Sequence, residues 1–416
     1  MRTRSLGLTL FSGLAILLSA CSNTGSGTGA SAAAGASAAP DPCAGAAAGP
    51  AHTQPTDWSK AKIGVATDIG TLDDKNYNEY TYKGAQAGAT DLKAGNPASV
   101  VPKAATEYIK NIQTYVDQNY DIIVTAGFNN ANATTCEAHL NSKVWFIGVD
   151  QSPICVDATG KLDPTFGCKG DAKTLVPNYI SLEYQEDQPG YLAGMVAASV
   201  SKNGTIGAIG GTSLCAPCIR YIQGYELGAK SINPNIKVVS TYVTNDFSDK
   251  AFNDPVTGKS FGQQFISQNK PDVLFQVAGK TGNGVIDAAC DAGIYAIGVD
   301  VDQFLSYPNG DKCIITSAEK KLTNTVQKTI NAIAAGTAKG GDSLWNAAND
   351  GIGISDFHDK ASIMPAGLTD KLTAALAAMK SGSLKTCPDK CGVLAAPAAG
   401  GSAAPSSGAS AAPSAS

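Results

Sequence analysis

The sequence predicts an α/β protein of two lobes that share one topology, on three observations. Residues 121–151, DIIVTAGFNNANATTCEAHLNSKVWFIGVDQ, are echoed by residues 272–303, DVLFQVAGKTGNGVIDAACDAGIYAIGVDVDQ. Each reads as an Asp, a buried apolar run, a Gly turn, a helix, and a strand that closes on Ile-Gly-Val-Asp. Continuous apolar runs alternating with helical spacing are the pattern of parallel sheets covered on both faces. Roughly 335 residues of mixed apolar and polar character lie between two low-complexity ends, enough for two lobes of ordinary size.

From the N-terminus, Arg2 and Arg4 precede an apolar run of about fifteen residues and then Leu18-Ser19-Ala20-Cys21. A spanning helix needs ~20 apolar residues, so residues 1–20 read as a signal peptide. The small residues before Cys21 resemble a bacterial lipobox, in which the signal is cut ahead of a cysteine that is then lipidated. The alternative is an ordinary cleaved signal with an incidental cysteine. Residues 21–60 read as this lipidated cysteine and a flexible tether, and 393–416 as a disordered Ala/Ser/Pro tail, because such compositions bury too little apolar surface to offset ordering entropy. Strands are expected in KIGVATD (62–68), GTIGAIGG (204–211), IKVVSTYV (236–243) and residues 273–277, and helices in 76–92 and 218–232.

Loss of residues 1–20 removes two arginines and no acid, leaving 29 basic against 35 acidic side chains and a net charge of −6. That balance opposes nucleic acid, whose backbone demands clustered Lys and Arg. It also gives no electrostatic attraction to a membrane, so lipid at Cys21 would be the only anchor. Eleven cysteines less Cys21 leave ten, an even count that in an exported protein reads first as disulfides. Cys155 and Cys168, Cys215 and Cys218, Cys290 and Cys313, and Cys387 and Cys391 are close enough in sequence to pair, but connectivity stays open. CAPC at 215–218 also admits a redox or zinc reading; against it, no second CxxC stands at zinc spacing, and His52, His139 and His358 are scattered.

The GKT of residues 279–281 is not a P-loop, since the glycine required five positions before Gly279 is Leu274. Gly279, Gly282 and Gly284 are spaced GxxGxG, which is not the dinucleotide fingerprint either. What remains is a strand, a glycine turn facing a ligand, and a helix beginning near Gly284. In open α/β sheets ligands sit off the carboxyl ends of the strands, where Asp68, Asp150, Gly279 and Asp300 all fall. The bland alternative makes these acids turn or N-cap residues.

At this point GVATDIGTLDDKNYNEYTYKGA (64–85), EYQEDQPGYLAG (183–194), DVLFQVAGKTGNG (272–284) and IGVDVDQ (297–303) resemble the basic membrane protein family, the Med or purine nucleoside receptor A-like lipoproteins. The resemblance runs from about residue 62 to 368. It implies a type I periplasmic-binding-protein fold: two Rossmann-like lobes with a hinge of three crossover strands. Lobe 1 would hold residues 61–180 plus about 302–340, and lobe 2 residues 181–301 plus about 341–392. It also implies a substrate-binding protein that serves the permease and ATPase subunits of an ABC importer, with a nucleoside as ligand and no cofactor.

Carried over residue by residue, Asp68 and Asp150 would accept hydrogen bonds from the ligand, and Tyr77 and Phe275 would sandwich a planar base. Asn78 would be a polar contact or a loop brace, and Gly279 and Gly282 would belong to the ligand turn. Asp300 would accept from ribose hydroxyls, with Lys320 reaching the same sugar. The chemistry is coherent: ionised carboxylates only accept, and three of them would repel a phosphate. Four features depart from the family: Tyr77 in place of a phenylalanine, Lys280 in the glycine turn, a long segment at 247–263, and the cysteine content. A sugar or small signalling molecule as ligand, a nucleoside hydrolase, and a surface sensor or antigen remain alternatives. For the hydrolase, no nucleophile elbow, metal motif or catalytic histidine arrangement is present.

Overall fold

The protein is described as a computed structural model over residues 43–154 and 176–394. The expected signal peptide, Cys21, Cys155, Cys168 and the tail beyond 394 lie outside the described residues. Among the described residues no helix is long and apolar enough to cross a membrane.

Apolar runs of four to eight residues form most of the strands. The first sheet takes β1 (Ile63–Ala66), β2 (Ala98–Val100), β3 (Ile122–Ala126), β4 (Trp145–Val149) and β5 (Tyr179–Tyr184). The second takes β6 (Thr205–Thr212), β7 (Lys237–Thr244), β8 (Val273–Val277), β9 (Tyr295–Asp300) and β10 (Ile314–Lys320). The last two strands divide between them: β11 (Gly341–Trp345) joins the first and β12 (Ile352–Ile354) the second. The orders are β11-β5-β4-β3-β1-β2 and β12-β10-β9-β8-β6-β7, one design used twice. Among the described residues every pairing is parallel except that of β12 on β10.

The central strands β1, β3 and β8 are apolar and buried because both faces are covered, whereas β2, β7 and β11 at the sheet edges stay partly exposed. On β3, Ile122 and Val124 enter a core that runs between the lobes while Ile123 enters the outer core of lobe 1. On β8, Val273, Phe275 and Val277 point inward and Leu274 outward. The covering helices are α1 (Tyr77–Asp91), α2 (Tyr108–Asp117), α3 (Ala131–Leu140), α4 (Asp187–Val200), α5 (Ala216–Ile232), α6 (Pro255–Asn269), α7 (Gly279–Asp291), α8 (Leu322–Ala334) and α9 (Leu368–Lys380). Small residues let α4 and α5 touch backbone to backbone: a Cβ on Gly224 would stand 2.0 Å from the Asp187 carbonyl oxygen.

The described chain crosses between lobes three times, at 184–187, 320–322 and 345–352. These crossings differ from the expected lobe boundaries. Strand β10, placed by the sequence in lobe 1, pairs with β9 of lobe 2, and β11, placed in lobe 2, pairs with β5 of lobe 1. Helix α8 packs on α1 of the first lobe, where Val326 and Ile330 meet Gly84 and Gly88. The β11–β5 pairing joins residues far apart in the chain, Gly341 opposite Ile180, and no local pattern encodes it.

Two further expectations are corrected. Helix α7 begins at Gly279, not near Gly284: Gly279 takes φ +52° at the turn, and the remaining glycines pack the helix tightly. The expected tether runs loose to residue 60, but residues 43–60 lie on lobe 1. A Cys43–Cys136 disulfide holds them, and the Ala47 and Gly49 N–H groups donate to Gln113 (2.7 Å) and Asn141 (2.8 Å). The sequence-near pairs 215–218, 290–313 and 387–391 are also disulfides. In CAPC the sulfurs bond each other, which leaves no thiolate for zinc.

Candidate functional site

The carboxyl ends of both sheets face one cavity of about 630 Å³, including the part open to solvent. Asp68 follows β1, Gly127 follows β3 and Asp150 follows β4 in lobe 1; Gly279 follows β8, and Asp300 and Lys320 end β9 and β10 in lobe 2. Asp150 (φ 54°) and Asp300 (φ 64°) share the left-handed conformation, so the echoed Ile-Gly-Val-Asp is repeated in the backbone itself. Gly127 makes room for an acid: a Cβ there would lie 2.1 Å from the Asp68 carboxyl carbon.

Lys320 is the hub. Its ammonium pairs with Asp150, lies 3.1 Å from Glu186 and 3.9 Å from Asp300, and is ringed by Tyr77, Tyr184 and Tyr221 at 5.3–5.7 Å from the ring centroids. Arg220 holds the other Glu186 oxygen at 2.5 Å, and the Tyr221 hydroxyl donates to Asp300 at 3.1 Å. Burial disfavours the charged ammonium, but Asp150, Glu186 and Asp300 outweigh it and hold Lys320 well above its ordinary pKa. Burial likewise opposes ionisation of Glu186, yet Lys320 and Arg220 bring it below the usual carboxylate value. For Asp150 and Asp300 burial wins over Lys320 and both are raised. Asp68 is pushed up to about 6 by burial, against hydrogen bonds from the Ile69 and Asn129 N–H groups. Four carboxylates thus face two cations, and the excess is on the acceptor side.

Asp68, Tyr77, Asn78, Asp150, Gly279, Asp300 and Lys320 all line this cavity. Tyr77 is tied down by its hydroxyl, which donates to the Val149 carbonyl (2.9 Å) and accepts from Gly127 N–H (3.0 Å). Asn78 braces its loop by donating to the Ile69 carbonyl at 3.0 Å. Two expected residues do not reach the cavity. Phe275 is fully buried in the middle of β8 against Tyr221 and Tyr225, because ligands meet the ends of strands and this ring sits two residues short of Val277. Gly282 lies inside α7, where a Cβ would strike Gln276.

In place of Phe275, the aromatic walls beside Tyr77 are Phe128, Phe252 and Tyr221. Phe128 was legible in principle, since the internal echo aligns Gly127-Phe128 with Gly279-Lys280. Glu186, Arg220 and Tyr221 carry no spacing signal and meet Lys320 only through the crossing at 184–187. Lys280 pairs across the cleft mouth with Thr71 (3.0 Å) and Asp73 (3.5 Å). Asn283 donates to the Asp74 carbonyl, Ser306 to the Lys75 carbonyl, and Phe128 packs on Phe247 at 5.2 Å. The lobes are therefore closed, with side chains of both joined at the rim.

A family model described as "ABC transporter substrate-binding protein PnrA-like" matches residues 60–373. The chain is similar to basic membrane protein D of Borreliella burgdorferi, 30% identical and covering 71% of this chain and 79% of the relative. It is 27% identical to the ABC transporter nucleoside-binding protein BmpA of Lactococcus lactis subsp. cremoris, over 70% and 81% of the two chains. Among solved structures, an ABC transporter solute-binding protein of Aeropyrum pernix K1 has the same fold, with TM-score 0.60, 21% identity, and coverage of 78% of this chain and 87% of that one. The two parallel lobes, the three crossings and the cleft at the strand ends agree with these matches, and the chain belongs to the PnrA-like family of ABC transporter substrate-binding proteins.

Proposed function

We propose that this protein binds a nucleoside, in the first instance a purine nucleoside, in the interlobe cleft and delivers it to the permease and ATPase of an ABC importer. Lipid on Cys21 would hold it at the outer face of the cell membrane. The observation that carries the ligand reading is the cavity wall, which sets Asp68, Asp150 and Asp300 among Phe128, Phe252, Tyr221, Val277 and Val299. Ionised carboxylates accept from ribose hydroxyls and base N–H groups. Aromatic and aliphatic walls suit the faces of a base, where stacking is worth ~1–3 kcal/mol. The carboxylate excess repels a phosphate, which favours a nucleoside over a nucleotide. The name of the Lactococcus relative points the same way. Binding and hinge closure suffice for this role, and no covalent step is needed.

The test is calorimetric titration of protein unfolded and refolded once to strip carried ligand, against adenosine, guanosine, inosine, uridine, ribose and AMP. Purine nucleosides are expected to saturate the site and AMP to bind at least about tenfold more weakly. Heat from ribose alone, or from none of the panel, would reject the nucleoside reading. The aromatic positions give a second, sharper check. Phe128→Ala is expected to weaken nucleoside binding by about tenfold through lost stacking. Phe275→Leu should leave affinity within about twofold and lower only the unfolding midpoint, by roughly 1 kcal/mol of stability. A stronger affinity loss at Phe275 than at Phe128 would return the base to the position first expected from the sequence.

A further inference from the structure

We infer that the Cys215–Cys218 disulfide is a redox site that opens into the ligand cleft: a dithiol reductant reaches it only through the cleft, and closure of the lobes shields it. Both cysteines line the cavity together with Tyr77 and Asp300, and both are otherwise buried, at 3% and 5% exposure. The other described disulfides lie elsewhere. Cys43–Cys136 fastens the N-terminal strap, Cys290–Cys313 belongs to the outer core of lobe 2, and Cys387–Cys391 lies beside Gln223.

As a staple the pair has little to do. It closes a loop with a sequence separation of 3, against 93 for Cys43–Cys136, and the entropy a crosslink removes from the unfolded chain grows with loop length. Pro217 and the first turn of α5 already restrict that segment.

The chemistry of the turn favours exchange in one direction. Cys218 N–H donates to the Cys215 sulfur at 3.1 Å, at the N-terminus of the 17-residue helix α5. A thiolate on Cys215 is stabilised there, which makes Cys215 the leaving sulfur and Cys218 the sulfur attacked. The reductant's first thiolate bonds to the Cys218 sulfur, the S–S bond breaks, and its electron pair leaves on Cys215. The reductant's second thiolate then attacks the reductant-derived sulfur of this mixed disulfide and releases Cys218. Two electrons pass to the cysteines, the dithiol becomes a cyclic disulfide, and its two protons end on the cysteine sulfurs. Access depends on the rim contacts of Lys280, Asn283 and Ser306, which hold the mouth closed.

The experiment exposes the purified protein to graded dithiothreitol, alkylates free thiols at timed points, and follows each disulfide by peptide mass spectrometry. Lys280→Ala/Asn283→Ala, which removes three rim contacts (to Thr71, Asp73 and the Asp74 carbonyl), is expected to speed reduction of Cys215–Cys218 about tenfold while Cys290–Cys313 keeps its rate. Saturating inosine is expected to slow the same bond in the unaltered protein by a similar factor. That second arm rests on the nucleoside reading, and the first does not. If neither inosine nor any other nucleoside of the panel gives calorimetric binding while the rim variant still speeds Cys215–Cys218 selectively, the nucleoside reading fails and the redox site stands. An unchanged rate at Cys215–Cys218 in the rim variant, or an equal gain at Cys290–Cys313, overturns the proposal.

Discussion

Lys320→Met is expected to cost about 3–5 kcal/mol of stability at pH 8 and to abolish ligand binding, because it strips the partner from a buried cluster of acids. Among the described residues the ammonium is the one cation that touches Asp150, Glu186 and Asp300 together, and Arg220 compensates only Glu186. Methionine fills similar volume, so the loss is electrostatic and not a cavity effect. Its size should shrink on acidification, as Asp150 and Asp300 take up protons in place of the missing charge. A second change separates pairing from packing: Lys320→Met/Asp150→Asn should recover part of the stability, which a double-mutant cycle by chemical denaturation reads directly. A wild-type unfolding midpoint for Lys320→Met at pH 8 would mean that Lys320 does not hold the acids together.

The second large effect is the response to pH, in which the stability of the ligand-free protein and its affinity for ligand should move in opposite directions. Burial raises Asp68 and Asp74 to about 6 and Glu137 to about 8. A carboxyl whose pKa is higher folded than unfolded binds more protons in the folded state between the two values, so stability falls as pH rises across that window. The contribution of these groups is full below about pH 4 and is lost as pH passes 6 for the aspartates and 8 for Glu137. Glu186 is lowered, so it titrates below this window and does not offset the trend. The ligand-free protein should therefore be more stable at pH 5 than at pH 8 by a few kcal/mol, a tenfold difference in proton affinity between the folded and unfolded chain being worth about 1.4 kcal/mol. Binding runs the other way, because a ligand that donates to Asp68 needs the carboxylate, and affinity should climb through pH 6. Denaturation midpoints at pH 5 and 8, with and without saturating nucleoside, test both signs. A ligand-free midpoint that is flat or rises toward pH 8 contradicts the first, and pH-independent affinity contradicts the second.

The sequence was most informative where function and fold lie within one continuous segment. The paired Ile-Gly-Val-Asp endings located Asp150 and Asp300, the Asp-Asp-Lys-Asn-Tyr run located Tyr77 and Asn78, and strand β8 was bounded to the residue. Phe275 was misplaced because the resemblance supplies a residue type and a segment but not a depth along the strand. Two residues separate the cavity end of β8 from its core, and that offset decides whether an aromatic ring faces ligand or Tyr225.

By itself, then, the sequence determined two lobes of repeated α/β units and the acids at the strand ends, because alternation of apolar runs with helices and a glycine-bounded turn are local properties of the chain, and its motifs carried the resemblance to the family. Only the tertiary structure decided which lobe receives β10 and β11, that Glu186 and Arg220 stand beneath Lys320, that Lys280 latches the rim, and that a disulfide faces the cleft. Each of these depends on segments tens to hundreds of residues apart meeting at a crossing or a lobe boundary, where the contact follows from the packing of the whole and not from any spacing along the chain.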